Sequence, residues 1–444
     1  MKTMTGYNYP GGYDIISSVP RALKQVKDPI GTMEESMALF NGTYSVHLGY
    51  RKYIITQDPA FIEYVLKTNH RNYQKSHFQS EKLAKFIGKG LLTSNGDFWL
   101  KQRRLIQPGF HHERIAALYS IIDKTVANFL VRFPEGSHDV APHMNALAFE
   151  LVINTLFNID VSQDIRAELN MFIREAQAFV IKDIRQFYKS WWFKVSGEER
   201  ANLIRSQRAR TIVRAIIRER RQRKTNYHDL LDMLLDARYE DTGLPMEEEQ
   251  VIDEILVLII AGHETTANAL AWTLYLLATH ENVQTNLREK TPDLSLKEIV
   301  SNEPLNNVIR ESMRLYPPAW ISDRVAMGDD AFGNFRFPKD TIIVLFYYGL
   351  HRSPEYWADA TGFIPDRFSK ENFTKEQSKA YHPFGGGPRL CIGNNFAMAE
   401  MTIFLQAFIN KFSLTRTSIS PSLVPLVTLK PDKIILNIRR LKRK

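Results

Sequence analysis

The sequence predicts a mainly α protein with a small β part, built as one large domain, and three observations carry that expectation. Helical periodicity runs almost unbroken from Phe98 to Lys290. Within it, Val251–His280 is a long apolar stretch interrupted by Asp253, Glu254, His263 and Glu264, which reads as a buried helix of a soluble protein rather than a membrane span. Residues favouring strands, by contrast, gather only in short runs bounded by turn formers. The composition agrees: 44% hydrophobic and 24% charged residues, with 22 Gly and 20 Pro in 444, exclude collagen-like and low-complexity scaffolds.

Taken in order, residues 1–40 show a turn at Pro10-Gly11-Gly12 and no other clear pattern, so they are expected to form an N-terminal arm; residues 41–444 form the domain. Thr43–Leu48 and Lys52–Thr56 make a short hairpin, followed by a helix over about Pro59–Lys67. After the helical region, Phe332–Phe337 and Thr341–Phe346 form a second β region with Pro338-Lys339-Asp340 as its turn. A loop-rich section, His351–Gly393, leads into a helix from Asn394 to about Phe412, and Leu426–Leu429 and Lys433–Ile438 close the chain as strands. Neither an internal repeat nor a long linker is visible.

The formal charge is +9, and nine basic residues with a single acid, Glu219, lie between Arg205 and Lys224. Ile204, Ile212, Val213, Ile216 and Ile217 recur there at helical spacing, so the stretch is an amphipathic helix. Its basic side is read as a solvated face, with docking of an acidic protein or contact with nucleic acid left open. No apolar segment follows a basic start near the N-terminus, so no signal peptide or membrane anchor is expected and the protein is placed in the cytoplasm. The only cysteine is Cys391, which excludes an internal disulfide and a four-cysteine zinc site.

That cysteine lies in Phe384-Gly385-Gly386-Gly387-Pro388-Arg389-Leu390-Cys391-Ile392-Gly393. Crowded glycines let the backbone turn sharply and aim amides at the sulfur. Such amides and a following helix N-terminus stabilise a thiolate. Arg389, two residues earlier, offers a cation to an anionic ligand. A second unusual segment, Ala261-Gly262-His263-Glu264-Thr265-Thr266, interrupts the buried helix with small and polar residues. A Thr hydroxyl there can compete for a backbone carbonyl. His263-Glu264 begins like H-E-x-x-H, but position 267 is Ala, so a zinc-protease reading fails.

FGGGPRLCIG resembles the haem-binding loop of the cytochrome P-450 monooxygenases, F-x-x-G-x-R-x-C-x-G, at all five fixed positions. Three further motifs follow the family's order over Phe98–Leu429. The resemblance implies that Cys391 is the axial ligand of iron in haem b, with Phe384, Gly385, Arg389 and Gly393 shaping the loop around the cofactor. The segment Ala261–Thr266 resembles the oxygen-activation element (A/G)-G-x-(D/E)-T-(T/S). It implies that Ala261 and Gly262 lie over the haem, Thr265 hydrogen-bonds dioxygen and Glu264 relays protons; Glu replaces the Asp that many members carry. Glu311 and Arg314 match E-x-x-R and, with Arg367 in Pro365-Asp366-Arg367-Phe368, imply a buried structural triad; the family more often has Glu at position 366. Trp99 and Arg103 match W-x-x-x-R, which with Arg324 and Arg389 implies binding of the haem propionates.

The implied activity is insertion of one oxygen atom of O2 into an organic substrate, by hydroxylation or oxidative O-demethylation. No dinucleotide fingerprint is present, so NAD(P)H is expected to act only indirectly, through a ferredoxin or flavodoxin and its reductase. The chain is expected to be a monomer that binds no nucleic acid. Substrate-lining candidates are Phe187, Tyr188, Trp191, Trp192, Trp320 and Ile321. The aromatic cluster slightly favours a polar, aromatic or sugar-like ligand over a fatty acid. A peroxide-driven enzyme and a non-catalytic haem sensor remain as alternatives, although neither needs the Glu264-Thr265 pair.

Overall fold

Glu248–Thr279 forms one helix of 32 residues, about 48 Å long at 1.5 Å per residue. Among the described residues it is the one helix long and apolar enough to cross a membrane, but 78% of its apolar window is buried inside the protein. The computed structural model describes residues 6–48, 51–157, 162–186, 189–222 and 229–442. It divides into two units: residues 1–76, 310–391 and 428–430, and residues 77–309, 392–427 and 431–444.

The second unit is built around the long helix. Ala141–Phe157 packs along it: Phe149 meets His263 edge-on with ring centroids 5.5 Å apart. At Gly262 an added Cβ would come within 3.2 Å of Val152, so the missing side chain lets the two backbones approach. Glu198–Gln222 is the basic helix, and its arginines are largely committed within the unit. Arg210 bridges Glu249 at 2.7 Å and Asp253 at 2.5 Å, Arg214 also pairs with Glu249, and Arg221 pairs with Glu248 at 2.7 Å. Arg220 is buried between Asp229 at 2.7 Å and Asp232 at 2.5 Å. The face read as solvated is thus mainly an ion-pair clamp on the acidic first turns of the long helix. Arg223 and Lys224 lie outside the described residues. A three-stranded antiparallel sheet completes the unit, with Ile435–Arg440 between Gly136–Asp139 and Phe412–Arg416.

The first unit holds a five-stranded sheet in the order Thr43–Leu48, Arg51–Thr56, Ile342–Leu345, Ser322–Ala326, Tyr73–Gln74. The first pair is the expected hairpin, with Thr43 opposite Thr56. The expected pairing across Pro338-Lys339-Asp340 is replaced: Asp330–Phe332 turns back onto Phe335–Phe337, while Ile342–Leu345 runs parallel to Arg51–Thr56. The reason is burial. Ile342, Ile343 and Leu345 are all 1% exposed or less, and only a central position in a larger sheet covers them on both faces. Two helices precede this sheet, Ile15–Lys27 and Pro29–Leu39. Asp14 caps the first through Ser17 N at 2.7 Å, and Asp28 with Pro29 starts the second. Ile15, Ile16, Val19, Leu23 and Val26 face solvent, which is why apolar spacing alone does not show how this segment packs.

Candidate active site

In the first unit, the cysteine loop is a closed turn. Cys391 N–H donates to the Phe384 carbonyl at 3.0 Å and Leu390 N–H to the Gly387 carbonyl at 3.0 Å. Gly385 and Gly387 adopt φ of 72° and 66°, the left-handed region that glycine enters without strain. The Cys391 side chain is exposed on this unit. Two residues earlier, the pKa of half-buried Arg389 is brought down to about 10 by burial and by the neighbouring Arg324 guanidinium. Arg324 is 9% exposed and also donates to the Asp323 carbonyl at 2.6 Å. A buried and a half-buried cation held beside each other are an arrangement that an anion relieves. A thiol at the surface of a glycine turn and an arginine pair largely withdrawn from water are a donor set that suits an iron porphyrin with acidic side arms, so the residues of this unit fit haem.

Behind the loop lies the triad. Glu311 is fully buried and accepts from Arg314 Nε at 2.7 Å and Nη2 at 2.9 Å, from Arg367 Nε at 3.1 Å and from Ile364 N–H at 2.9 Å. Arg314 spends its remaining donors on the carbonyls of His351 and Ala360, both at 2.8 Å, and Gly362 at 3.0 Å. Two guanidiniums around one carboxylate, with every Arg314 donor used, is how a buried charge cluster is tolerated. His351 extends the network: its Nε2 accepts His382 N–H at 2.8 Å, and the His382 carbonyl accepts Gly385 N–H at 3.2 Å. Burial holds His351 well below the usual imidazole range, so it stays neutral and keeps the lone pair this contact needs. The triad therefore reaches the cysteine loop through two histidines that no sequence motif marked. Trp320 is buried and packs edge-on to Phe346 at 6.3 Å; Ile321 is half-buried.

In the second unit, Ala261, Gly262, Glu264 and Thr265 are partly accessible along the long helix, while His263 and Thr266 are buried. Thr265 Oγ1 donates to the Ala261 carbonyl at 2.7 Å, and the helix continues through this point. His263 Nε2 meets the Asn145 carbonyl at 3.1 Å, and burial lowers its pKa to about 4, so the imidazole is neutral and serves packing. Glu400, on the helix Asn394–Lys411, is fully buried; burial pushes its pKa well above the usual range, and the Thr266 hydroxyl only partly offsets this. A lone acid in the apolar run Phe396–Leu405 was the available signal for it. Trp99 is buried, and Arg103 Nε donates to Gln107 Oε1 at 3.2 Å. Trp191 and Trp192 stand 65% and 51% exposed, edge-on to each other, and do not enclose a cavity by themselves. Phe187 and Tyr188 lie outside the described residues. A cleft of about 620 Å³ opens in this unit among Arg104, Arg114, Asp236 and Tyr239, and neither Trp191 nor Trp192 lines it.

Comparison with known proteins bears on the same residues. The family model described as cytochrome P-450 matches residues 21–438. The chain is 29% identical over 377 residues to the cyclooctat-9-en-7-ol 5-monooxygenase of Streptomyces melanosporofaciens, covering 83% of this chain and 82% of that protein. It is 31% identical over 356 residues to a cytokinin hydroxylase of Arabidopsis thaliana, covering 76% of this chain and 69% of that one. Among solved structures, a crystal structure of a cytochrome P-450 superposes with a TM-score of 0.84 at 24% identity, covering 99% of this chain and all of the other. The haem domain of a mutant cytochrome P-450 gives 0.82 at 22% identity, covering 93% of each. These two likenesses establish the fold. With a family match over nearly the whole length, this chain belongs to the cytochrome P-450 family, the haem-dependent monooxygenases.

Proposed function

We propose that the chain hydroxylates a small organic molecule, with Cys391 as the thiolate ligand of haem iron. The observation that carries the reading is the pairing of buried Arg324 with half-buried Arg389 in the loop of the only cysteine. When bound, haem supplies the activation of dioxygen, and a thiolate ligand favours cleavage of the O–O bond. Arg324, Arg389, Trp99 and Arg103 would hold its acidic side arms; Phe384, Gly385 and Gly393 shape the loop, and Ala261 and Gly262 provide a side-chain-poor surface. Glu264 and Thr265 manage protons. The Thr265 hydroxyl proton is committed to the Ala261 carbonyl, which leaves Oγ1 as an acceptor. For Thr265 to donate, its hydroxyl must rotate off that carbonyl while Glu264 supplies a proton to Oγ1.

Residues 41–444 act in this reading as one haem domain, monomeric and cytoplasmic. Electrons come from NAD(P)H through a ferredoxin or flavodoxin and its reductase. The substrate is aromatic, polar or sugar-like, with O-demethylation as a second reaction of the same chemistry. Relatives named as a monooxygenase and a hydroxylase support hydroxylation. The test is the absorption spectrum of the reduced protein with carbon monoxide, for the native chain and for Cys391→Ser. A strongly red-shifted Soret band in the first, lost in the second, is expected; an unshifted band in the native protein overturns the assignment. Thr265→Ala should keep that band while lowering product formed per electron consumed. Turnover with peroxide but not with a reductase system would favour the peroxide-driven alternative.

A further inference from the structure

Asp330 takes no part in the chemistry above, yet it is a buried carboxylate, 7% exposed, with four hydrogen bonds. Its Oδ1 accepts from the Tyr64 hydroxyl at 2.7 Å and from Ala331 N–H at 2.9 Å. Its Oδ2 accepts from the Tyr73 hydroxyl at 2.6 Å and from Asn69 Nδ2 at 2.9 Å. Asn69 Nδ2 also reaches the Tyr64 hydroxyl oxygen at 2.9 Å. Burial, reinforced by Asp330, raises the Tyr64 hydroxyl to about 12 and the Tyr73 hydroxyl further, so both phenols remain donors.

Two of these partners bracket one short element. Tyr64–Thr68 is a wide helical turn, closed by Asn69 N–H onto the Tyr64 carbonyl at 2.8 Å. It directly continues the α-helix Pro59–Glu63, and wide turns of this type are rare and frequent at functional sites. The middle of the turn, Leu66, is 4% exposed and lies against the cysteine loop. A Cβ at Gly387 would overlap the Leu66 carbonyl, and a Cβ at Gly386 would come within 3.4 Å of the Leu66 side chain. Tyr73 fixes the other side of Asp330 to the sheet, where it pairs with Ala326. The chain of contacts thus runs from the sheet through Asp330 to the turn, and from Leu66 to the glycines four and five residues before Cys391.

We propose that Asp330 is a positioning residue for Cys391: it locks the Tyr64–Thr68 turn on which the cysteine loop is seated. The proposal rests on the haem-thiolate reading for its functional meaning. The loop is then gripped twice, at Gly385 through His382 and His351, and at Gly387 through Leu66 and Asp330.

The test uses haem-loaded protein and the variants Asp330→Ala, Asp330→Asn, Tyr64→Phe and Tyr73→Phe. Two quantities are read well below the melting temperature: the fraction of the reduced carbonyl complex with an unshifted Soret band, and hydrogen exchange of the amides of residues 384–391. Asp330→Ala should raise the unshifted fraction from a trace to about half and speed exchange of that segment about tenfold. Asp330→Asn should do less, because it keeps the shape and one acceptor. Tyr64→Phe, which removes a hydrogen bond made by the turn itself, should exceed Tyr73→Phe, which removes one made from the sheet and leaves its ring packed on Tyr64. A merely structural role predicts a lowered melting temperature with a fully red-shifted band and unchanged exchange at residues 384–391; that result, or equal effects of the two Tyr variants, overturns the proposal. If the native protein shows no red-shifted band, the haem-thiolate reading fails before any variant is compared, and this proposal falls with it.

Discussion

Replacing Glu400 with Gln tests whether the acid behind Thr266 is held neutral. Its burial is complete, no cation pairs with it among the described residues, and the Thr266 hydroxyl, too far for a well-formed hydrogen bond, only partly offsets the burial. Without a paired cation, an ionised carboxylate there would carry a large desolvation cost, so the folded protein keeps the proton well above the ordinary value of 4.5. The unfolded chain releases it near that value. Above about pH 4.5 the native state therefore binds one more proton than the unfolded state, and its stability falls as pH rises, by up to about 1.4 kcal/mol per unit, until the folded group itself ionises. Gln has nearly the same shape and no proton to lose, so this slope is absent from the variant. Urea unfolding of both proteins at equal haem loading, followed by far-UV circular dichroism at about pH 5, 6 and 7, measures the difference. Glu400→Gln should gain on the native protein at each step upward in pH. Parallel profiles would refute the reasoning and imply that Glu400 is ionised in the folded state.

Three further outcomes follow from the same structure. Glu311→Gln leaves Arg314 and Arg367 charged and buried around a neutral amide, and should cost about 3–5 kcal/mol of unfolding free energy; a loss below about 1 kcal/mol would contradict the buried-charge account. Arg220→Ala strands Asp229 and Asp232 and should cost a similar amount, about 3–5 kcal/mol. Arg218→Ala, at a side chain 67% exposed, should change stability by no more than about 0.5 kcal/mol, so equal effects in the two would show that the basic helix is not clamped as described. Gly387→Ala combines a left-handed φ with overlap onto the Leu66 carbonyl and should lower the yield of haem-loaded protein severely. Gly243→Ala has a φ of 67° but open space around the new Cβ, so it should cost only the conformational penalty of about 1–2 kcal/mol.

Local features of the chain were readable to the extent that the reason for them is local. The hairpin Thr43–Leu48 with Arg51–Thr56 follows from β-formers in adjacent runs, and the long helix from its apolar density and length. The cysteine loop, the Thr265 segment and the Glu311–Arg314 pair stand within short stretches whose residue types are unusual enough to be noticed on their own. The helix Ile15–Lys27 escaped because its apolar stripe faces water, and the strand Ser322–Ala326 because its neighbours come from residues 73–74 and 342–345.

The sequence by itself determined the fold class, the long buried helix, the first hairpin, and the residue types offered to a haem. Those depend on periodicity, turn chemistry and motifs spanning about ten residues or fewer. Tertiary structure alone decided what the charges do. The arginines between 205 and 222 look like a free basic face until Glu248, Glu249, Asp253, Asp229 and Asp232 are brought against them. Asp330 is an unremarked acid until Tyr64, Asn69 and Tyr73 converge on it from more than 250 residues away in the chain. A charge or a hydroxyl has no fixed role along a sequence, because its energy is set by what replaces water around it, and that replacement exists only once distant segments have packed.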